Sequence, residues 1–292
     1  MTLTLHLGTS KLAGSFVELL DAAVGHFEWL DTAPYYCDGR LPDLLGEAQQ
    51  RVQFFEVTTR VPCAGSPGQP SADTSYPLGW IGSSIRKQLK QARLDHFSLV
   101  LLERWDCSWD PSRVRGELRN LQREGLAKQI GISVPDSAPG AAEAFSDSFE
   151  MVIQGDGSLA RRNFLKPWQD TYRSQGHALQ ARAPFFHGLF AKSFSYEAVI
   201  GEGSARSSLF KTLGKGLESI RSAYTRAAAE LGTTVDVLAL AYVRELLGNG
   251  GVILGCSSAP QLAWNIRAWY QSSDLLVKSP ISTAIPNLRI GE

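Results

Sequence analysis

The sequence predicts an α/β fold, a (β/α)8 or TIM barrel formed by a single domain over residues 1–292, and three observations lead there. Eight short, apolar, β-prone runs recur along the chain, and amphipathic stretches of helix length separate them. Runs such as Leu99-Val100-Leu101-Leu102 are apolar at consecutive positions, as a parallel strand covered on both faces requires. A chain of 292 residues also suits one such barrel better than two average domains. An open doubly wound sheet competes with this reading, but no GxGxxG follows the first run and no P-loop occurs.

In chain order the strand candidates are Leu3–Leu7, Glu28–Thr32, Phe54–Arg60, Phe97–Glu103, Gln129–Ser133, Met151–Gln154, Ala178–Ala183 and Gly251–Cys256. Helix periodicity is clear over Leu12–Val24, where Phe16, Leu19, Leu20 and Val24 share a face, over Trp80–Ala92, and over Arg113–Glu124. The helix before the last strand is read with Thr233 as cap and Asp236 three residues later. Its apolar face is Leu238, Ala241, Tyr242 and Leu246, and Gly248 ends it. Cys63–Pro77 and Ser193–Ser208 read as loops. In a barrel the loops after strands build the active site, which makes the second a candidate lid over substrate.

Composition narrows the partners. Lysine plus arginine and aspartate plus glutamate both number 29, so no net basic field favours nucleic acid, and a small-molecule partner is expected. Met1–Leu7 lacks a basic segment followed by an apolar one, and no run approaches the length of a membrane span, so a soluble, cytoplasmic protein with no membrane partner is expected. Cys37, Cys63, Cys107 and Cys256 show no CxxC spacing and the histidines no HExxH pattern, so no metal is expected.

Three segments carry a more specific signal: Leu30-Asp31-Thr32-Ala33-Pro34-Tyr35-Tyr36, then Leu118–Gly125 leading into Ile130-Gly131-Ile132-Ser133, and Ile253-Leu254-Gly255-Cys256-Ser257-Ser258 with Gln261 and Asn265. Together they make the chain resemble the aldo-keto reductase superfamily from Leu7-Gly8-Thr9 to about Ala268. The resemblance implies NADPH-dependent reduction of a carbonyl, assisted by a tetrad of Asp, Tyr, Lys and His. The first two correspond to Asp31 and Tyr36. The lysine position holds Arg60 and the histidine position Glu103, so the tetrad is divergent.

In that chemistry the tyrosine protonates the reduced oxygen, and a neighbouring cation stabilises phenolate. Arg60 keeps the cation, but a guanidinium does not release a proton near neutrality, and its fork favours a bidentate pair with Asp31. Three roles stand open for Glu103: an ionised carboxylate opposing a developing oxyanion, a protonated hydrogen-bond donor as in the similar steroid double-bond reductases, or an ion-pair partner of Arg60 or Arg104.

The resemblance further implies a cofactor site of Gly8, Thr9, Ser133, Gln154, Gly255, Ser257, Gln261 and Asn265. Ser133 and Gln154 match positions that hold the nicotinamide carboxamide. The asparagine expected after Ser133 is Val134, and the aromatic ring expected on the nicotinamide falls on Gly157. Ser257 stands where a basic residue pairs with the 2′-phosphate. Binding of NADPH or NADH is therefore expected to be weakened or lost. Trp105 and Phe185 are the substrate-binding candidates, with Trp109, Phe186 and His187 nearby in sequence, although aromatic residues at strand ends more often pack than bind. The leading reading is NAD(P)H-dependent reduction of a carbonyl or conjugated double bond in a small metabolite. The alternative is a cofactor-independent lyase, isomerase or cyclase using Glu103 and Tyr36 as an acid/base pair.

Overall fold

A computed structural model describes residues 3–10, 12, 16–62, 78–103, 110–134, 150–161, 176–201, 205–214, 216–278, 280–286 and 288. Its strands pair in parallel, in chain order, and close into a barrel of eight. They are β1 (Leu3–Gly8), β2 (Trp29–Asp31), β3 (Glu56–Val61), β4 (Phe97–Leu102), β5 (Ala127–Ser133), β6 (Val152–Asp156), β7 (Ala178–Arg182) and β8 (Gly250–Gly255), with β8 hydrogen-bonded back to β1. Described helices follow most strands: α1 (Phe16–Ala23), α2 (Leu41–Glu47), α3 (Gln49–Val52), α4 (Trp80–Ala92) and α5 (Pro111–Arg123) in the first half. The second half holds α6 (Tyr196–Gly201), α7 (Ala205–Leu213), α8 (Gly216–Glu230), α9 (Val235–Leu247), α10 (Ala259–Lys278) and α11 (Ile281–Ala284). Among the described residues no helix is long and apolar enough to cross a membrane.

Successive side chains of a strand point to opposite faces, so each strand sends one row inward. The outward row, Val100 and Leu102 of β4 for example, joins the large core between sheet and helices. The inward row changes character along each strand. Near the N-terminal ends it is apolar: Leu99, Leu101 and Val152 form a separate cluster with Trp29 and Ala178 inside the barrel. Two residues further on the same rows turn polar, to Asp31, Glu103, Gln154 and Gln180, with Arg60 of β3 among them. This gradient concentrates ionisable groups at the C-terminal mouth and leaves the other end mainly as packing.

At the level of Trp29, His6 stacks on the indole at 5.1 Å and shares a hydrogen bond of 2.9 Å between its Nε2 and Thr4 Oγ1. Gly251 makes room for the imidazole, since a Cβ there would stand 2.5 Å from His6 Nε2. Helix α5 starts as its sequence demands, with Asp110 accepting from the Ser112 backbone N–H at 2.9 Å and Pro111 at the first helical position.

Several boundaries differ from expectation. Helix α1 ends at Ala23, so Val24 lies beyond the buried face and is 40% exposed. Strand β6 runs on to Asp156, which gives its inward row one more polar residue. Thr234, not Thr233, precedes α9, and it makes no side-chain cap. Asp236 is buried and accepts the Trp264 indole N–H at 2.5 Å. Gly248 ends α9 at φ +64°, as its position suggests. The segment 193–208 is largely helical among its described residues, carrying α6 and the start of α7, because the apolar side chains of Phe194, Tyr196 and Val199 give it a face to bury. Cys63–Pro77 lies outside the described residues.

Candidate active site

The polar ends of the inward rows meet under a cleft of about 510 Å³ at the C-terminal mouth. Its floor is built from Asp31, Arg60 and Tyr36, and one wall carries Glu103 with Tyr35. Register explains the assembly: Gly8 pairs with Asp31 across β1 and β2, and Arg60 pairs with Leu101 across β3 and β4, so all these side chains leave the sheet at one height.

Arg60 is 4% exposed, and its Nη2 lies 2.9 and 3.0 Å from the two carboxylate oxygens of Asp31. The same nitrogen donates to Gln154 Oε1 at 2.6 Å, and Nη1 donates to the Thr32 carbonyl at 2.6 Å. Gln154 in turn donates through Nε2 to Asp31 at 2.9 Å and to Gln180 Oε1 at 3.1 Å. Burial disfavours the Arg60 charge, but Asp31 and the two tyrosines outweigh it and hold the group above its ordinary range. Arg60 is a permanent cation.

Its Cζ lies 5.7 Å from the centre of the Tyr36 ring. Burial raises the Tyr36 phenol above its ordinary value, Asp31 and Glu103 add to the rise, and Arg60 and Arg182 act against it. The phenol therefore keeps its proton throughout the neutral range. Among the described residues its hydroxyl has no hydrogen-bond partner, and it faces the cleft. Glu103 takes a different phenol: Tyr35 donates to Glu103 Oε1 at 2.5 Å, with the two tyrosine rings edge to face at 5.1 Å. Glu103 is thus hydrogen-bonded to Tyr35, while Tyr36 lies against Arg60. The pairing of Glu103 with Tyr36 required for the acid/base alternative is not the one formed.

The remaining sequence candidates fall into three groups. Gly8, Ser133, Phe185, Gly255, Ser257 and Gln261 line the cleft. Thr9 also borders it, but its hydroxyl and N–H both hold the Asp31 carbonyl, at 2.9 and 3.1 Å, so it fixes the backbone of the catalytic candidate. Gln154 and Asn265 are buried behind the lining, and Asn265 donates to the Gly255 carbonyl at 3.2 Å. Gln261 reaches back to accept from the Ser257 N–H at 2.7 Å, while Ser258 Oγ accepts from the Gln261 N–H at 3.4 Å. That reciprocal arrangement caps α10. His187 lines the cleft, whereas Phe186 is fully buried. Arg104, Trp105 and Trp109 lie outside the described residues.

Two functional candidates escaped the sequence reading: Tyr35, and Arg182 at the end of β7. Arg182 Nη1 donates to Ser133 Oγ at 3.2 Å, Nη2 to the Val134 carbonyl at 3.1 Å, and Nε to Asp156 at 2.8 Å. Asp156 also pairs with Arg161 at 3.1 Å. Gly157, where an aromatic ring was expected, instead gives its N–H to the Arg182 carbonyl at 3.0 Å. A signal was present in Ala178-Leu179-Gln180-Ala181-Arg182, whose polar residues alternate and so share the inward row. Among the described residues no group of three metal-ligating side chains occurs, and Cys37 and Cys256 are free thiols.

Comparison with known proteins agrees with this geometry. The model of the Aldo/keto reductase family matches residues 4–276. The curated protein "Uncharacterized oxidoreductase YqkF" of Bacillus subtilis (strain 168) is 24% identical over 265 residues, covering 90% of this chain and 84% of its own. Among solved structures, glycerol dehydrogenase AKR11B4 from Gluconobacter oxydans is similar with a TM-score of 0.76 at 18% identity, covering 94% of this chain and 93% of that one. The holo form of aldo-keto reductase AKR11C1 from Bacillus halodurans also has a TM-score of 0.76, at 16% identity, covering 99% and 94%. At these identities the structural likeness speaks for the fold.

Proposed function

Because the chain belongs to the aldo/keto reductase family, we propose that it is an oxidoreductase using NADPH or NADH to reduce a carbonyl or conjugated double bond in a small metabolite. The observation that carries this reading is the Asp31–Arg60–Tyr36 constellation on the cleft floor, with a protonated phenol whose hydrogen is uncommitted to described residues.

The residues present fit a dinucleotide. At one end Lys192 Nζ lies 3.2 Å from the centre of the Trp264 ring and the Arg267 guanidinium 5.7 Å from it, so two cations flank the ring of Trp264, three residues along α10 from the cleft-lining Gln261. These offer the phosphates the charge that Ser257 lacks. At the other end the Ser133 hydroxyl still has its proton to donate, and Arg182 uses only three of its five N–H donors. Gln154 has every donor and acceptor engaged inside the barrel, so it supports the floor instead of holding a carboxamide.

When bound, a reduced nicotinamide supplies hydride. The protein's own part is to place the acceptor oxygen against Tyr36, which transfers its phenolic proton as negative charge develops there. Arg60 stabilises the resulting phenolate, and Asp31 with Gln154 keeps the guanidinium in place. Glu103 accepts the Tyr35 proton in a hydrogen bond, so its carboxylate is partly satisfied away from the reacting oxygen. Titration with NADPH and NADH, followed by calorimetry and by tryptophan fluorescence, tests the reading. Saturable micromolar binding of one of them is the expected result, and absence of binding of both overturns it.

A further inference from the structure

The ring end of the cleft differs from what a Ser–Asn–Gln carboxamide site would provide. Val134 offers no side-chain amide, and Gln154, fully buried, is engaged with Arg60, Asp31 and Gln180. The guanidinium of Arg182 lies across the gap, bonded to Ser133 Oγ and the Val134 carbonyl, with about a third of its side chain exposed where it borders the cleft. Two of its N–H donors remain for a ligand.

The charge is as informative as the donors. Asp31 is bonded to Arg60 and Glu103 to Tyr35, while the Asp156 carboxylate is shared between Arg182 through Oδ1 and Arg161 through Oδ2. A carboxylate divided between two guanidinium groups leaves the Arg182 end electropositive. Arg182 and Tyr36 line the same cleft, so a ring placed against the Tyr36 phenol also lies on the Arg182 side of the barrel mouth.

Resting on the reductase reading above, we propose that Arg182 takes over the missing amide's role at the nicotinamide end, donating to the carboxamide oxygen, and that its fixed positive charge makes the site select the redox state of the cofactor. A reduced nicotinamide ring is neutral, whereas the oxidised ring is a cation. Beside a guanidinium in a partly solvated cleft the oxidised form is disfavoured by about tenfold, a Coulomb effect at effective dielectric constants between those of surface and bulk water. Arg182 is thus a positioning and specificity residue, and it favours binding of the reduced cofactor and release of the oxidised one.

The experiment is a calorimetric titration of the full chain with NADPH, NADP+, NADH and NAD+, and with 2′-phospho-ADP-ribose, which lacks the nicotinamide. The wild-type protein should bind the reduced member of its preferred pair about tenfold more tightly than the oxidised one. Arg182→Gln keeps amide donors without the charge, and should bring that ratio close to one while leaving the 2′-phospho-ADP-ribose affinity unchanged. Arg182→Lys should retain most of the ratio, and higher salt should shrink it in the wild type. A wild-type ratio near one overturns the proposal without any variant, and so does an unchanged ratio in a folded Arg182→Gln protein. Failure of every nucleotide to bind the wild type overturns the reductase reading, and this proposal with it; binding without redox preference overturns only the proposal.

Discussion

Arg60 meets both carboxylate oxygens of Asp31 through Nη2 alone, at 2.9 and 3.0 Å inside the barrel, while Nη1 turns to the Thr32 carbonyl in place of the expected two-nitrogen fork, and each side chain of the pair is 4% exposed. Such a pair contributes less through its own attraction than through the cost of breaking it, because one partner alone is a buried, uncompensated charge. Asp31→Ala should therefore destabilise the fold by about 3–5 kcal/mol. Adding Arg60→Met should recover part of the loss by removing the stranded guanidinium. Urea denaturation of the single and double variants measures both terms; equal stability of the two would contradict the argument.

Tyr35 and Tyr36 are neighbours in sequence with opposite commitments. Tyr36→Phe removes the cleft-facing phenol proposed as proton donor and should lower single-turnover reduction by a factor of about 10²–10⁴, with the fold intact. Tyr35→Phe removes a hydrogen bond to Glu103 and should cost much less, within about tenfold. A larger loss from the Tyr35 variant would transfer the donor role to that residue.

His6 links acidity to stability. Burial pushes its imidazole down to about 4 from 6.5, with Asp31 acting the other way, so the folded protein holds it neutral. The unfolded chain binds the proton first. The His6 contribution is therefore fully present above pH 6.5 and is lost as pH falls to about 4, a change of roughly 3 kcal/mol. Comparison of stability between pH 7 and pH 4 in the wild type and His6→Asn checks this, since the variant should lose that part of the slope.

Trp264 ties α10 to α9 through its indole N–H on Asp236, at 2.5 Å. Trp264→Phe leaves the buried Asp236 carboxylate without that donor and should cost about 1–3 kcal/mol in stability, read as a fall in the denaturant midpoint. Trp264→Phe should also weaken any nucleotide-dependent fluorescence change, because Lys192 lies directly over the ring.

Much of this was legible without coordinates. Consecutive apolar residues in Leu99–Leu102 declare a strand buried on both faces, and eight such runs separated by helical periodicity admit few closed arrangements. Asp31, Tyr36, Arg60 and Glu103 could be placed at strand ends because local spacing and motif order survive in a single sequence, and all four border the cleft. Helix ends were harder: Thr233 and Asp236 have the right chemistry for capping, but burial of Asp236 against Trp264 decided its role.

What the residue order determined by itself is the barrel, the mouth at which its polar residues collect, and the family to which the chain belongs, since all three rest on patterns within one strand, helix or motif. The choice of partners across the barrel was decided only by tertiary structure. Gln154 meets Asp31 across 123 positions and Arg60 across 94, Tyr35 rather than Tyr36 reaches Glu103 across 68, and Arg182 closes over Ser133 across 49. Those contacts depend on strand register and on where each arginine leaves the sheet, and neither is written in the neighbourhood of any one residue.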